Sequence, residues 1–287
     1  MILITGANGN LGRSVVKQLL SVITESEFVV TASNENTLQK LIGEGYQARL
    51  ANFNNPDTLL AAFQGISKLL LVSTMEQDRL EQHKNVIDQA KKAGVQHIVY
   101  TSLAIKNIEA SAVRDLMISH FQTEEYIKKS GLTYTILRNT MYADALLQIL
   151  GPNALDHDIN LPGDHGKVPY LLRREMGEAT ANLLLQDGHD NVVYDFVGSR
   201  QFDYADIAST ISELISNDIH YNNISDEEFR SILSKNGFPD FAIYLHAGTI
   251  RDIKNHQYEI TNNIVEDLLG RKSAGLKTII KELYNLK

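Results

Sequence analysis

One stretch near the amino terminus, Thr5-Gly6-Ala7-Asn8-Gly9-Asn10-Leu11-Gly12, has the residue types and spacing of a loop that cradles the phosphates of a dinucleotide. Gly6 permits a tight turn, Gly9 lets backbone approach a pyrophosphate, and Gly12 allows the following helix to pack closely on the preceding strand. A helix opening here offers unpaired N–H groups to the anion. Glycine-rich loops also serve turns that bind nothing, so the flanking sequence decides. Ile2, Leu3 and Ile4 before the loop form an apolar run suited to a central parallel strand. Leu11, Val15, Val16, Leu19 and Leu20 after it repeat at helical spacing.

Other chemistries find little footing. The chain has no cysteine, which excludes disulfides, thiolate nucleophiles and cysteine metal sites. His157 lies between Asp156 and Asp158, but neighbours on a loop do not converge on one ion, and no H-E-x-x-H helix exists, so no metal is expected. No G-x-S-x-G turn supports a serine hydrolase.

The elements that must position the loop alternate along the chain. Strands are expected at Phe28 to Ala32, Tyr46 to Leu50, Lys68 to Thr74, His97 to Thr101 and Thr133 to Leu137. Between them, residues 34–44 read as a helix closed by Gly45, and Asn55-Pro56-Asp57 starts another that stops at Gly65. Lys91-Lys92-Ala93-Gly94 and Lys128-Lys129-Ser130-Gly131 both read as helix exits, basic residues meeting the negative helix end before a glycine cap. Six strand-then-helix repeats through about residue 150 imply an α/β, Rossmann-type doubly wound parallel sheet with right-handed crossovers.

Residues 1–150 therefore form a dinucleotide-binding core, to which residues 179–198 return through an apolar strand at Val192 to Val197. Residues 151–178 and 199–287 are assigned to a smaller, mainly helical substrate-side region. Its Gly- and Pro-containing stretch reads as a loop over the crevice. A helix is expected from about Arg173 to Gln186, and others at 203–217, 225–236 and 240–254, with Ser225 and Glu228 in a capping-box relation.

In such a fold the ligand meets the carboxyl ends of the strands. That places Ser33 and Asn34 at the adenosine ribose, Asn52 and Phe53 near the adenine, and Ser73, Thr74, Thr101 and Ser102 along the crevice. An acidic residue at the ribose favours NAD and an arginine favours NADP, and Ser33-Asn34 gives neither answer. Arg13 and Lys40 are the nearest cations in sequence, each also explicable as a solvated surface charge.

The 287 residues, 43% of them hydrophobic, suffice for one large α/β domain or a main domain with a smaller partner. A formal net charge of -8 argues against general affinity for nucleic acid or an anionic membrane. No apolar run approaches the ~20 residues that span a bilayer, and the first strand begins at once, so a cytoplasmic location is expected.

The T-G-x-x-G-x-x-G loop resembles that of the short-chain dehydrogenase/reductase superfamily. Many of its members use a Tyr and a Lys four residues later on a helix. No tyrosine here has Lys at that spacing, and Leu116 and His120 would fall at the dyad positions. The sequence is more specifically similar to the NmrA-like atypical branch, especially its type 2 NAD(P)H-dependent quinone oxidoreductases. Lys68 to Ser73, Gln82 to Ile87, Tyr100 to Leu103, His120 with Thr123-Glu124, Ser130 to Asn139, Tyr142 and Leu269-Gly270-Arg271-Lys272 carry the likeness. One departure is Ser33, where those reductases tend to carry Arg.

The resemblance implies hydride transfer from NADPH or NADH to a quinone, with the nicotinamide between Thr101-Ser102 and Leu137-Arg138-Asn139. It favours NADPH where Ser33 does not. A quinone is already a strong hydride acceptor, so positioning and electrostatic support replace the dyad. His120, Tyr142 and Asn139 are the candidate catalytic groups, with His120 and Arg138 also candidate cofactor contacts; His120 also fits a helix-internal hydrogen bond, Tyr142 a core aromatic, and Arg138 a buried ion pair. The partner is then a small quinone-like molecule, with a homodimer as an option and no nucleic acid or membrane. The alternative in a different class is a non-catalytic NAD(P)-binding redox sensor that controls a transcriptional regulator.

Overall fold

The computed structural model describes residues 1–286. Strands and helices alternate from the start: β1 (Ile2–Ile4), α1 (Asn10–Leu20), β2 (Phe28–Ala32), α2 (Glu35–Gly43), β3 (Ala48–Leu50), α3 (Pro56–Ala62), β4 (Lys68–Leu71) and α4 (Arg79–Lys92). The series continues with β5 (His97–Leu103), α5 (Arg114–Ser130), β6 (Thr133–Asn139) and α6 (Leu146–Leu150). After β7 (Ile159–Leu161) come α7 (Arg173–Leu185), β8 (Val192–Phe196), α8 (Tyr204–Ile215), β9 (Tyr221–Asn223), α9 (Asp226–Lys235), α10 (Asp240–Lys254), α11 (Ile264–Leu269) and α12 (Leu276–Leu283).

Seven parallel strands form the main sheet in the order β3-β2-β1-β4-β5-β6-β8. The order reverses at β1, so β1 and β4 diverge to opposite crossovers and leave a crevice beyond their carboxyl ends. Period-two alternation divides the central strands between two cores. Ile4, Leu70 and Val99 pack with Val15, Val16 and Leu19 of α1 and Ala179 and Leu183 of α7. Leu3, Leu69, Leu71 and Ile98 face Leu59, Phe63, Val86 and Ile87 on the opposite side. Continuous apolar runs in β1 and β4 are the consequence of burial on both faces.

Local signals act as their chemistry requires. The Asn34 side-chain Oδ1 accepts from the Thr37 amide (2.9 Å) and caps α2, while Asn55 and Pro56 open α3. Gly131, at φ 84°, closes α5 in the left-handed region.

Two differences from the sequence reading have physical causes. The strand expected at Lys68 to Thr74 ends at Leu71. Beyond it, the Val72 amide donates to Thr5 Oγ1 (2.9 Å) and the Ser73 amide to Thr101 Oγ1 (2.9 Å), so side chains take the donors that a strand would have used. In the stretch read as a loop, β7 pairs in parallel with β9. Helices α11 and α12 add to the expected set, and the buried Leu276, Ile279 and Ile280 follow helical spacing. A third apolar cluster joins β7, α8, α10 and α12 through Leu161, Ile207, Ile250 and Ile279. Among the described residues, no helix is long and apolar enough to cross a membrane.

Candidate functional site

The glycine loop closes on itself before α1 begins. Gly6 adopts φ 65°, and its carbonyl accepts from the Gly9 amide (2.9 Å). A Cβ on Gly12 would stand 2.2 Å from the Gly6 carbonyl oxygen, so only glycine permits this approach of helix to loop. Gly9 is the N-cap of α1 and supplies no side-chain cap, leaving the first-turn N–H groups for an anion. Asn8 is exposed, Asn10 starts the helix, and Ala7 and Leu11 are buried supports.

Two cavities open along the crevice and share Val72 and Ser73 as a common wall. The first, about 560 Å³, is lined by the loop residues Gly6, Asn8 and Gly9, by Ser33, by Asn52 and Phe53, and by Ser73 and Thr74. Asn85 Nδ2 donates to the Phe53 carbonyl (2.9 Å) and fixes that aromatic residue at the cavity rim. The second, about 490 Å³, contains Leu11, Ser73, Ser102, His120, Asn139 and Tyr142. The wall between them is held by the two threonine contacts described above, Thr5 from β1 and Thr101 from β5.

The second cavity combines the uncharged polar groups His120, Asn139 and Tyr142 with one cation, Arg173. Tyr100, wholly buried on β5, places its hydroxyl 2.9 Å from His120 Nδ1. Burial keeps the Tyr100 phenol protonated, raising it far above its ordinary value, and burial pushes His120 well below the usual histidine range. Tyr100 and His120 are therefore both uncharged and joined by one hydrogen bond between the phenol oxygen and Nδ1. Asn139 Nδ2 donates to the Tyr142 hydroxyl (3.1 Å), which leaves the Tyr142 proton available. Asn139 Oδ1 is buried without a partner, an acceptor at the cavity wall. The Arg173 guanidinium lies 4.5 Å from the Tyr142 ring centre and holds the ring by a cation–π contact.

Several sequence-selected residues stand elsewhere. Arg138 lines neither cavity; it makes two hydrogen bonds to the buried Glu124 (3.0 and 2.7 Å), which holds its guanidinium above the ordinary value, and stacks over Phe121. Ser102 Oγ also donates to Glu124 (2.6 Å). Asn34 caps α2 rather than lining the first cavity, and Thr101 acts through Ser73.

Other groups emerge only from the fold. Arg79 is wholly buried and donates to the Thr74 carbonyl (2.5 Å), the Leu116 carbonyl (3.0 Å) and Ser119 Oγ (2.8 Å), tying the loop after β4 to α5. Leu245, His246 and Thr249 of α10 line the second cavity from a distant part of the chain. A lone arginine at a helix start and three residues of a late helix carry no local motif that could have singled them out.

The first cavity and glycine loop fit a dinucleotide: the Gly12 approach, the open helix start and the preset walls are the features such a ligand needs. The unpaired Asn139 oxygen and the His120 and Tyr142 hydrogens fit an amide-bearing ring with a small carbonyl compound beside it.

The chain is 32% identical over 290 aligned residues to quinone oxidoreductase 2 of Escherichia coli (strain K12), covering 100% of this chain and 99% of that one. A solved structure of the NADPH-dependent quinone oxidoreductase from Escherichia coli, complexed with NADPH, superposes with a TM-score of 0.92 at 31% identity, covering 99% of this chain and 100% of that one. Triphenylmethane reductase of Citrobacter sp. superposes with a TM-score of 0.90 at 29% identity, covering 99% of both chains. The NmrA-like family model matches residues 1–279. With the matching loop, sheet and crevice in place, the chain belongs to the NmrA-like family.

Proposed function

We propose that this protein is an NAD(P)H-dependent reductase that passes a hydride to a quinone or a similar small acceptor without a Tyr–Lys dyad. The observation that carries the reading is the pair of adjoining cavities with Val72 and Ser73 between them, one suited to a dinucleotide and one lined by His120, Asn139, Tyr142 and Arg173. A bound reduced nicotinamide supplies a hydride, two electrons with one hydrogen nucleus; the quinone takes it up and a proton from water completes the hydroquinone.

The chain's own groups orient and stabilise. His120 Nε2–H and the Tyr142 hydroxyl point hydrogen-bond donors at the acceptor oxygen on which negative charge grows. The Asn139 oxygen accepts from an amide and fixes ring orientation. Leu103, Met117 and Met141 give the acceptor an apolar, adaptable surface. With the Tyr100 hydroxyl donating to Nδ1, His120 carries its proton on Nε2 and serves as a fixed donor, and the net proton comes from solvent.

On this reading the chain keeps the division into a dinucleotide-binding core and a smaller substrate-side region, and works in the cytoplasm as a monomer or homodimer without nucleic acid. The sensor alternative draws no support from the quinone and dye reductases to which the chain is similar. The test supplies purified protein with NADH and NADPH separately, each with benzoquinone. Cofactor oxidation above background is expected; tight cofactor binding without any such oxidation contradicts the proposal and favours the sensor.

A further inference from the structure

The adenosine end of the crevice has an electrostatic character of its own. Among the described residues that line the first cavity, none is Lys or Arg, while two, Glu76 and Asp78, carry carboxylates. Ser33 at the end of β2 is exposed, and its oxygen is approached by Asn34 Nδ2 at 3.4 Å. The Asn34 oxygen is already engaged by the Thr37 amide.

None of the nearby cations Arg13, Lys40 and Arg49 lines this cavity. Arg13 Nε donates to the Asn8 carbonyl (3.2 Å), and the arginine lines a different cavity together with Arg173 and Arg174. Arg49 Nη1 is held by the Ala62 and Gln64 carbonyls (2.6 and 2.8 Å). Lys40 lies on the exposed face of α2 beside Glu44 (4.0 Å). NADP differs from NAD by one phosphate on the adenosine ribose, and a phosphomonoester carries about -1.5 to -2 charge at neutral pH. Sites that prefer it place an arginine there, whose planar fork matches the phosphate oxygens. Here that phosphate would meet a neutral hydroxyl at Ser33 with no Lys or Arg in the cavity lining to replace its hydration; Glu76 and Asp78 stand after β4, two strands away in the sheet order.

We infer that the Ser33 end of this crevice selects NADH over NADPH, in contrast to the Escherichia coli relative whose solved structure holds NADPH. The discrimination comes from rejecting the extra phosphate rather than from a gain with the ribose, because Glu35, the nearest following acid, is bonded to Gln39 Nε2 (2.7 Å). The inference rests on the reductase reading only in taking the loop as a dinucleotide site.

Isothermal titration of the full chain with NADH and NADPH, without any quinone, tests it. NADH is expected to bind about tenfold tighter, a difference of ~1.4 kcal/mol. Ser33→Arg, a change at an exposed position, should raise NADPH affinity about tenfold and reverse the order. Equal or tighter binding of NADPH by the unaltered protein overturns the inference, as does a Ser33→Arg protein with no gain for NADPH. Binding of neither cofactor overturns the dinucleotide reading and this inference with it, and is recognisable as a separate result.

Discussion

The Tyr100 hydroxyl lies 2.9 Å from Nδ1 of His120, and both side chains are buried, one on the central strand β5 and the other on α5. In the proposed mechanism Tyr100 donates in this contact, which sets His120 as the Nε2–H tautomer. Without it, an imidazole at the cavity wall is free to present either a donor or a lone pair to the acceptor.

Tyr100→Phe keeps the ring and removes the donor. Turnover with benzoquinone should fall about tenfold, with a smaller change in cofactor affinity, because an unsatisfied buried nitrogen costs about 1–3 kcal/mol. Nitrogen-15 spectra of His120 should move from a pure Nε2–H tautomer to a mixture. An unchanged tautomer in the variant contradicts the assigned role of Tyr100.

His120→Leu and Tyr142→Phe each delete a donor aimed into the second cavity. Each should lower kcat by about tenfold to a hundredfold while dinucleotide affinity is kept. Unaltered quinone turnover in both variants removes these residues from the mechanism.

Gly12→Ala places a methyl group 2.2 Å from the Gly6 carbonyl oxygen. The loop and helix must separate, costing about 1–3 kcal/mol in stability and displacing the phosphate cradle. Titration calorimetry should show dinucleotide binding lost although the circular dichroism of the fold persists.

Acid should weaken the fold through its buried histidines. Burial, followed by the positive charge of Arg79, pushes His83 down from 6.5 to about 3. Between those values the unfolded chain binds a proton that the folded chain refuses, so stability falls as pH drops from 6.5 towards 3, by about 1.4 kcal/mol per pH unit for one such group. Urea unfolding at a series of pH values should show this slope, and His83→Gln should reduce it.

Much of the site was legible because it rests on local rules. The loop from Thr5 to Gly12 announces itself by glycine spacing between a strand and a helix, Ser73 follows from where a parallel strand ends, and Ser102, Asn139 and Tyr142 came from the family resemblance. Arg138 was legible as either a cofactor contact or a buried ion pair, and its partner was not, since Glu124 is 14 positions away on another element. Arg79 and the α10 residues Leu245, His246 and Thr249 were beyond reach for the same reason: their function is created by tertiary packing alone. Strands β7 and β9, three residues each, are too short to register a period, and each exists only because the other pairs with it.

The central claim, direct hydride transfer in this crevice, is tested most directly by single-turnover oxidation of reduced cofactor by benzoquinone with no flavin added. Cofactor deuterated at the transferred position of the nicotinamide is compared with the ordinary form. The account predicts one cofactor oxidised per quinone reduced, and a slower reaction with the deuterated form. No oxidation above background by protein that binds the cofactor, or equal rates for the two forms, would contradict it.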